Sequence, residues 1–203
     1  MGLFNKFFGG KEISKRLLDT SSLKKIGEMM DEKQYWNIIQ KSLSESKSQD
    51  EQEVWLIQEL QKLSLEEIIG FRLRTDLLLY NTYTSETWCA GYIMNGGCSD
   101  DLFEYFRCWI ISRGEKTYQD AKQNPDSLVD EAINGVDLYD FESFWYVALT
   151  AFERNTGKDL YDFIDYDTFT TREGKYPDFE FNWKEDNPES MKKICPRLFE
   201  RFC

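Results

Sequence analysis

The stretch from residue 95 to 114 constrains the fold most, because two glycines interrupt the chain directly before an amphipathic helix. It reads N-G-G-C-S-D-D-L-F-E-Y-F-R-C-W-I-I-S-R-G. Gly96 and Gly97 reach positive φ without steric cost, and the Ser99 hydroxyl is suited to accept from backbone N–H groups at a helix start. Apolar residues then recur with helical spacing. The pattern predicts a buried central helix over about 99–113.

Helical spacing continues on both sides of this central helix. Capping boxes are indicated by Asp31 with Gln34 and by Ser64 with Glu67, and the second box starts a helix at about Leu65. The predicted apolar positions of the later helices are Ile69, Leu73, Leu77 and Tyr80, then Leu128, Ala132 and Ile133 after Pro125, then 141–153, and a last helix from Pro188. We therefore expect a mainly α, multi-helix globular domain packed around the central helix.

Composition divides the chain into three parts. Residues 1–29 form a basic amphipathic leader, and residues 30–157 form the helical domain. Residues 158–203 form an acidic-aromatic extension, and between Asp159 and Glu189 it carries ten acidic and three basic residues. Its alternation of acidic with aromatic residues favours an irregular arm or short strands. We expect this extension to pack on the helical domain.

The overall composition excludes several classes of function. The chain has no histidine, which excludes Ser-His-Asp and Cys-His nucleophilic systems and the H-E-x-x-H zinc motif. Its formal net charge of −12 disfavours unaided binding to nucleic acid or to an anionic membrane. A basic partner is the complementary expectation. An acidic surface that serves only solubility is the alternative.

The five cysteines are odd in number and form no C-x-x-C pair. They indicate neither a disulfide framework nor a thiolate zinc site, and they are typical of a reduced, cytoplasmic protein. Cys98 stands beside a predicted helix start that would lower the pKa of its thiol. With no histidine to act as a base, an inert thiol is the favoured interpretation.

Motifs around the central helix resemble a known bacterial family. They are Tyr35-Trp36, Ile68 with Phe71, the run W-C-A-G-Y at 88–92, the run N-G-G-C-S-D-D at 95–101, Y-F-R-C-W-I-I at 105–111, and N-P-D-S-L at 124–128. Together they resemble the domain of unknown function 4240 (DUF4240), over about residues 30–152. The resemblance implies a mostly helical cytoplasmic protein. It implies no catalytic residue, and the acidic extension lies outside it.

One polar cluster has a spacing compatible with chemistry. Asp100, Glu104 and Arg107 share a helical face, and Asp101 stands beside them. An acid–base or hard-cation site, or a ligand corner with Asn95, Gly96, Gly97 and Ser99, is one interpretation. The favoured alternative is structural: Asp101 caps the helix, Asp100 stabilises its dipole, and Arg107 bridges to a carboxylate on a neighbouring helix. We expect no resident cofactor or metal.

The extension supplies the candidate partner-binding residues, which are Asp162, Asp165, Tyr166 and Asp167. We expect a non-enzymatic acidic module that binds a basic protein partner, in the sharpest form an immunity-type protein that neutralises a toxin. The alternatives are an enzyme or a small-ligand site at Asp100, Asp101, Glu104 and Arg107. Membrane contact through residues 1–10, with Phe4, Phe7 and Phe8 on one face, is less favoured than a docked or free leader.

Overall fold

The structure is a computed structural model that describes residues 17–168 and 177–203. The leader's residues 1–16, and with them the membrane-contact hypothesis, lie outside the described residues. The described part contains nine α-helices: α1 (Glu32–Glu45), α2 (Gln49–Leu60), α3 (Leu65–Asn81), α4 (Ser85–Asn95), α5 (Asp100–Ser112), α6 (Glu115–Gln123), α7 (Val147–Thr156), α8 (Pro188–Ile194) and α9 (Pro196–Phe202). Three 3₁₀ helices accompany them at Pro125–Glu131, Glu142–Tyr146 and Leu160–Phe163. The mainly α prediction is confirmed.

The first five α-helices each begin at a side chain that accepts a backbone N–H, and these caps are Asp31, Ser48, Ser64, Thr84 and Ser99. Ser64 and Glu67 form the reciprocal capping box that the sequence predicts. Each cap satisfies one of the orphan donors at a helix start and contributes about 1 kcal/mol to helix stability. Local polar residues therefore set where these helices begin.

Helices α3 and α5 share the centre of the core. Leu73 in α3 and Ile110 in α5 are fully buried, and α3 packs against α1, α5 and α7. The predicted buried line of α3 is only half right, because Leu78 and Leu79 are buried where Leu77 and Tyr80 were expected. A helix with neighbours on three sides buries more than one stripe, so a single apolar line does not define its contacts.

A buried arginine lies on the inward side of α3. Only 1% of Arg72 is exposed, and its Nη1 donates to the carbonyl of Trp145 at 2.9 Å. Its Nε lies 2.9 Å from Oδ1 of Asp76, and its guanidinium stacks 3.9 Å from the Trp145 ring. A planar cation that is weakly hydrated tolerates this environment when a carboxylate, a carbonyl and an aromatic face surround it.

The second half of the chain departs from the predictions at three places. The helix predicted over 141–153 is divided into the 3₁₀ helix Glu142–Tyr146 and α7 (Val147–Thr156). Ile133, expected on a buried helical face, is 63% exposed, because the helix that starts at Pro125 is 3₁₀ and ends at Glu131. The predicted last helix is divided into α8 and α9 at Cys195. Pro196 has no N–H and disfavours helical backbone at the preceding residue, so the chain turns there.

The described parts of the acidic extension are irregular apart from the short helices. The acidic turn, residues 159–167, pairs with the segment that precedes α1: Ile26 N–H donates to the Phe163 carbonyl at 2.8 Å, and Asp165 N–H donates to the Ile26 carbonyl at 2.7 Å. The C-terminal strap, residues 177–185, crosses the start of α4. Among residues 17–168 and 177–203, no helix is long and apolar enough to cross a membrane.

Candidate functional site

The glycine corner, residues 95–101, connects α4 to α5. Gly96 has φ 64° and ψ 26°, the left-handed conformation in which glycine ends a helix at no steric cost, and Gly97 follows with φ 143°. Gly97 N–H donates to the Tyr92 carbonyl at 2.9 Å. The Ser99 hydroxyl then accepts from Leu102 N–H at 3.2 Å and starts α5. The corner therefore ends α4 and starts α5 within five residues.

Asn95 attaches a neighbouring loop to this corner. Its Oδ1 accepts from Tyr139 N–H at 2.7 Å, and its Nδ2 donates to the Tyr139 carbonyl at 3.4 Å. Both polar ends of the side chain are thus occupied by one backbone residue of the loop before the second 3₁₀ helix. The loop is attached to the corner through this amide.

The four polar residues of the predicted cluster separate into an outer and an inner set. Asp100 and Asp101 are exposed in the first turn of α5, where carboxylates interact favourably with the helix dipole. The cap is Ser99 and not Asp101, so that part of the structural interpretation is wrong. Glu104 is half-buried, with its Oε2 3.7 Å from Arg107 Nη2.

Arg107 points into the protein and is 1% exposed. Its Nη1 donates to the Leu79 carbonyl at 2.8 Å, and its guanidinium carbon lies 4.6 Å from the Phe103 ring centre and 5.0 Å from that of Tyr83. The arginine therefore stabilises the carbonyl end of α3. Within residues 17–168 and 177–203, the carboxylate that Arg107 reaches is Glu104 on the same helix and not one on a neighbouring helix.

The positions of these side chains determine which chemistry the corner could support. The carboxylates of Asp100 and Asp101 are exposed, whereas the Arg107 guanidinium is buried and donates to the Leu79 carbonyl in α3. Burial raises the pKa of the Cys98 thiol to about 12; the Arg107 guanidinium opposes this rise, and the Asp100 carboxylate adds to it. The thiol is therefore protonated at neutral pH. Within residues 17–168 and 177–203, no group of three or more acidic or cysteine side chains is placed to hold a metal ion.

The candidate partner-binding residues occupy the acidic turn. Asp162 and Asp167 are exposed, while Asp165 and Tyr166 are half-buried. The Asp165 carboxylate accepts from Asp167 N–H at 3.1 Å, so it stabilises the turn of its own backbone. Of these three candidate carboxylates, Asp162 and Asp167 lie at the surface, and Asp165 is used within the turn.

The structure brings the C-terminal strap against the glycine corner, a juxtaposition that the sequence analysis missed. Trp88, Cys98 and Asp100 from the corner side and Phe181, Trp183 and Glu185 from the strap line a pocket of about 400 Å³, together with Lys184. These two groups are about 90 residues apart in the chain. The alternation of Phe179, Phe181 and Trp183 was the available signal, since it showed aromatic side chains on one side of an extended segment.

A family model matches the part of the chain that contains the glycine corner. The model for a protein of unknown function, DUF4240, matches residues 30–154, which is more than half of the chain. The chain belongs to the DUF4240 family. No curated protein and no solved structure matches the chain. The DUF4240 region contains Trp88, Cys98 and Asp100, whereas the strap lies outside it, so the pocket joins the family domain to the extension.

Proposed function

We propose that this DUF4240 protein is a non-enzymatic, cytoplasmic acidic module that binds a basic protein partner. The sharper form of the proposal is that it neutralises a basic toxin or effector, as immunity proteins do. Its five free cysteines suit a reducing compartment. The partner-binding surface includes the acidic turn with Asp162, Asp165, Tyr166 and Asp167.

The observation that carries this proposal is how positive and negative charge are distributed between core and surface. Arg72 and Arg107 are each 1% exposed, whereas Asp100, Asp162 and Asp167 are exposed. These two cations are enclosed together with the buried carboxylate of Asp126 and with Asp76, whose side chain is 9% exposed, so the enclosed charges nearly cancel and the net charge of −12 lies at the surface. Such a surface accelerates encounter with a basic partner and disfavours acidic ones.

The rival proposal is an enzyme, or a small-ligand or metal-binding protein, at Asp100, Asp101, Glu104 and Arg107. It has less support, because Arg107 contacts the Leu79 carbonyl and the two aspartates face solvent. A thermal melt with Mg²⁺, Ca²⁺, Mn²⁺ and nucleotides tests it. A ligand present at 100 times its Kd would add about 2.7 kcal/mol of stability and raise the melting temperature. Such a rise, abolished by Asp100→Asn, would favour the rival.

The test of the proposal is affinity capture from the native host at low and at physiological salt, with mass spectrometry of the retained proteins. We compare the wild type with the triple variant Asp162→Asn, Asp165→Asn, Asp167→Asn. A matched control neutralises three exposed carboxylates elsewhere, Glu28, Glu45 and Glu66, by Glu→Gln changes.

Both triple variants change the net charge by the same amount, so a difference between them reports position and not total charge. We expect a basic protein that the wild type and the control retain at physiological salt and that the acidic-turn variant loses. Equal retention by both variants would show that the acidic turn is not the binding surface. Absence of any retained basic protein would contradict the proposal as a whole.

A further inference from the structure

The pocket between the glycine corner and the C-terminal strap has three aromatic walls. The Trp88 and Phe181 ring centres are 5.2 Å apart with planes at 77°, and the Phe181 and Trp183 centres are 5.5 Å apart with planes at 89°. Consecutive rings are thus nearly perpendicular and enclose a corner. The faces of aromatic rings carry negative quadrupole potential, which attracts a cation placed over them.

The two tryptophan walls are held in position before any ligand arrives. Trp88 stacks on Phe103 with ring centres 4.2 Å apart, and its indole N–H donates to the Cys98 carbonyl at 3.2 Å. The Trp183 indole N–H donates to the Ser85 carbonyl at 2.9 Å, and its ring lies 5.2 Å from Tyr92. Because both indole N–H groups are used internally, the two tryptophans offer no hydrogen-bond donor to a ligand. A preorganised pocket loses little entropy on binding.

Charged groups at the pocket make it selective in sign. Asp100 and Glu185 line it, and both are exposed. Lys184 is the one cationic side chain among its described lining residues. Lys184 is also exposed, so its flexible ammonium is free to turn to water. The two carboxylates are left to pair with a cation that sits against the rings.

We propose that this pocket receives the guanidinium group of an arginine side chain that a basic protein partner presents. Guanidinium is planar, weakly hydrated and stacks on aromatic faces, and its donors match carboxylates, whereas an ammonium is a strongly hydrated point charge. The inference rests on the proposed function and adds to it a specific recognition site. It also gives the strap a role, since the strap contributes Phe181, Trp183 and Glu185 to the pocket.

The test uses the full chain labelled with ¹⁵N and follows the indole N–H signals of Trp88 and Trp183. The probe is an acetylated, amidated Gly-Gly-Arg-Gly-Gly peptide, and its control replaces arginine with citrulline, which has the same shape without the charge. We expect saturable shifts of both signals with the arginine peptide only. Equal shifts with citrulline, or no shift of either signal at saturating arginine peptide, would overturn the inference.

Variants with matched controls locate the binding. Asp100→Asn should weaken arginine-peptide binding about 2- to 5-fold, as loss of an exposed charge pair does, while Asp101→Asn in the same helical turn should change it less. Phe181→Ala should weaken binding about 3- to 10-fold, as loss of one cation–π wall does. Its control is Ile133→Ala, which removes another exposed apolar side chain away from the pocket. An equal loss in a variant and its control would contradict the assignment.

Lys184→Gln tests whether the ligand of the pocket is a cation. If the pocket takes a cation, removing Lys184 removes a repelling charge, so arginine-peptide affinity should rise. An unchanged or lower affinity for the arginine peptide would show that Lys184 does not repel the bound ligand, and would contradict binding of a cation beside it.

The inference and the proposed function fail in different ways. A basic partner that is captured equally by the wild type and by Phe181→Ala with Asp100→Asn overturns the arginine pocket but leaves the acidic module standing. If the arginine peptide binds but no basic partner is captured, the assignment of the arginine to a protein partner is overturned. The pocket would then bind a free organic cation. Loss of capture in the pocket double variant, together with saturable peptide binding, supports both.

Discussion

The acidic turn (159–167) and the C-terminal strap (177–185) share one composition, acidic residues alternating with aromatic or aliphatic ones, yet they form different structures. The turn buries Ile164 completely and joins its backbone to Ile26 through two hydrogen bonds. The strap keeps Phe181 52% exposed and leaves a pocket beside Trp88. Alternation therefore specifies which side chains share a face, and the neighbouring surface decides whether that face is closed or open.

The two segments also differ in how they are attached. The turn is held by backbone pairing and by Phe163 packing 5.4 Å from Phe152. The strap is held mainly by side chains: the Ser85 hydroxyl donates to Asn182 Oδ1 at 2.7 Å and accepts from Asn182 N–H at 3.1 Å, and Trp183 reaches the Ser85 carbonyl. Side-chain attachment leaves the ring faces free to line a cavity.

The largest effect is expected for Trp183→Ala in the strap. Trp183 is 5% exposed, and its removal leaves a cavity and removes the indole hydrogen bond to the Ser85 carbonyl, so unfolding free energy should fall by about 3–5 kcal/mol. Chemical denaturation measures this. Phe181 is half-exposed in the same strap, so Phe181→Ala should lower the unfolding free energy by only about 1 kcal/mol. Equal losses for the two variants would mean that the strap does not pack as described.

A slightly smaller loss is expected for Ile164→Ala in the acidic turn. Ile164 is fully buried, and truncation of such a side chain costs about 2–4 kcal/mol. Unlike Trp183→Ala, it should leave the affinity for the arginine peptide unchanged under conditions in which the variant is folded. Stability is measured by denaturation and affinity by titration of the Trp88 indole signal. A lower affinity would show that the acidic turn and the strap are energetically coupled, and that the turn also supports the pocket.

An intermediate effect is expected for Ser85→Ala, which removes the hydroxyl that holds Asn182. Loss of these two hydrogen bonds should cost about 1 kcal/mol, because Asn182 is exposed and water replaces the partner. Amide hydrogen exchange in the strap should become faster while exchange in the acidic turn does not change. The control is Ser44→Ala, an exposed serine whose hydroxyl donates to the Lys41 carbonyl. Unchanged exchange in the strap would show that its other contacts, such as the Trp183 indole with the Ser85 carbonyl and the Asn182 amide with Glu86, suffice to hold it.

Features that depend on a few adjacent residues could be predicted from the sequence. The Ser64–Glu67 capping box, the Ser99 cap and the left-handed glycine at Gly96 are examples, since each is set by local geometry. The division between α8 and α9 belongs to the same class, because Pro196 marks it, but the sequence analysis overlooked that proline. Local signals therefore predicted most helix starts.

Features that depend on packing could not be predicted in the same way. Helical spacing places Asp100, Glu104 and Arg107 on one face, but the position of α3 draws the guanidinium of Arg107 to the Leu79 carbonyl. Likewise, nothing local to Leu77 or Leu78 says which of them faces a neighbouring helix. The pocket needs Trp88 and Trp183 to meet, and a single sequence does not reveal a contact between residues so far apart.

The smallest effect is expected for Asp165→Ala in the acidic turn. Its carboxylate accepts from Asp167 N–H at 3.1 Å, at a half-exposed site, so the change should cost about 0.5 kcal/mol. Asp162→Ala, which removes an exposed carboxylate, should cost nothing measurable by the same denaturation experiment. A larger loss for Asp162 than for Asp165 would mean that the outward carboxylate supports the fold. The acidic residues of the turn would then be explained by their contribution to stability. The expected order instead leaves the Asp162 carboxylate available to bind a partner.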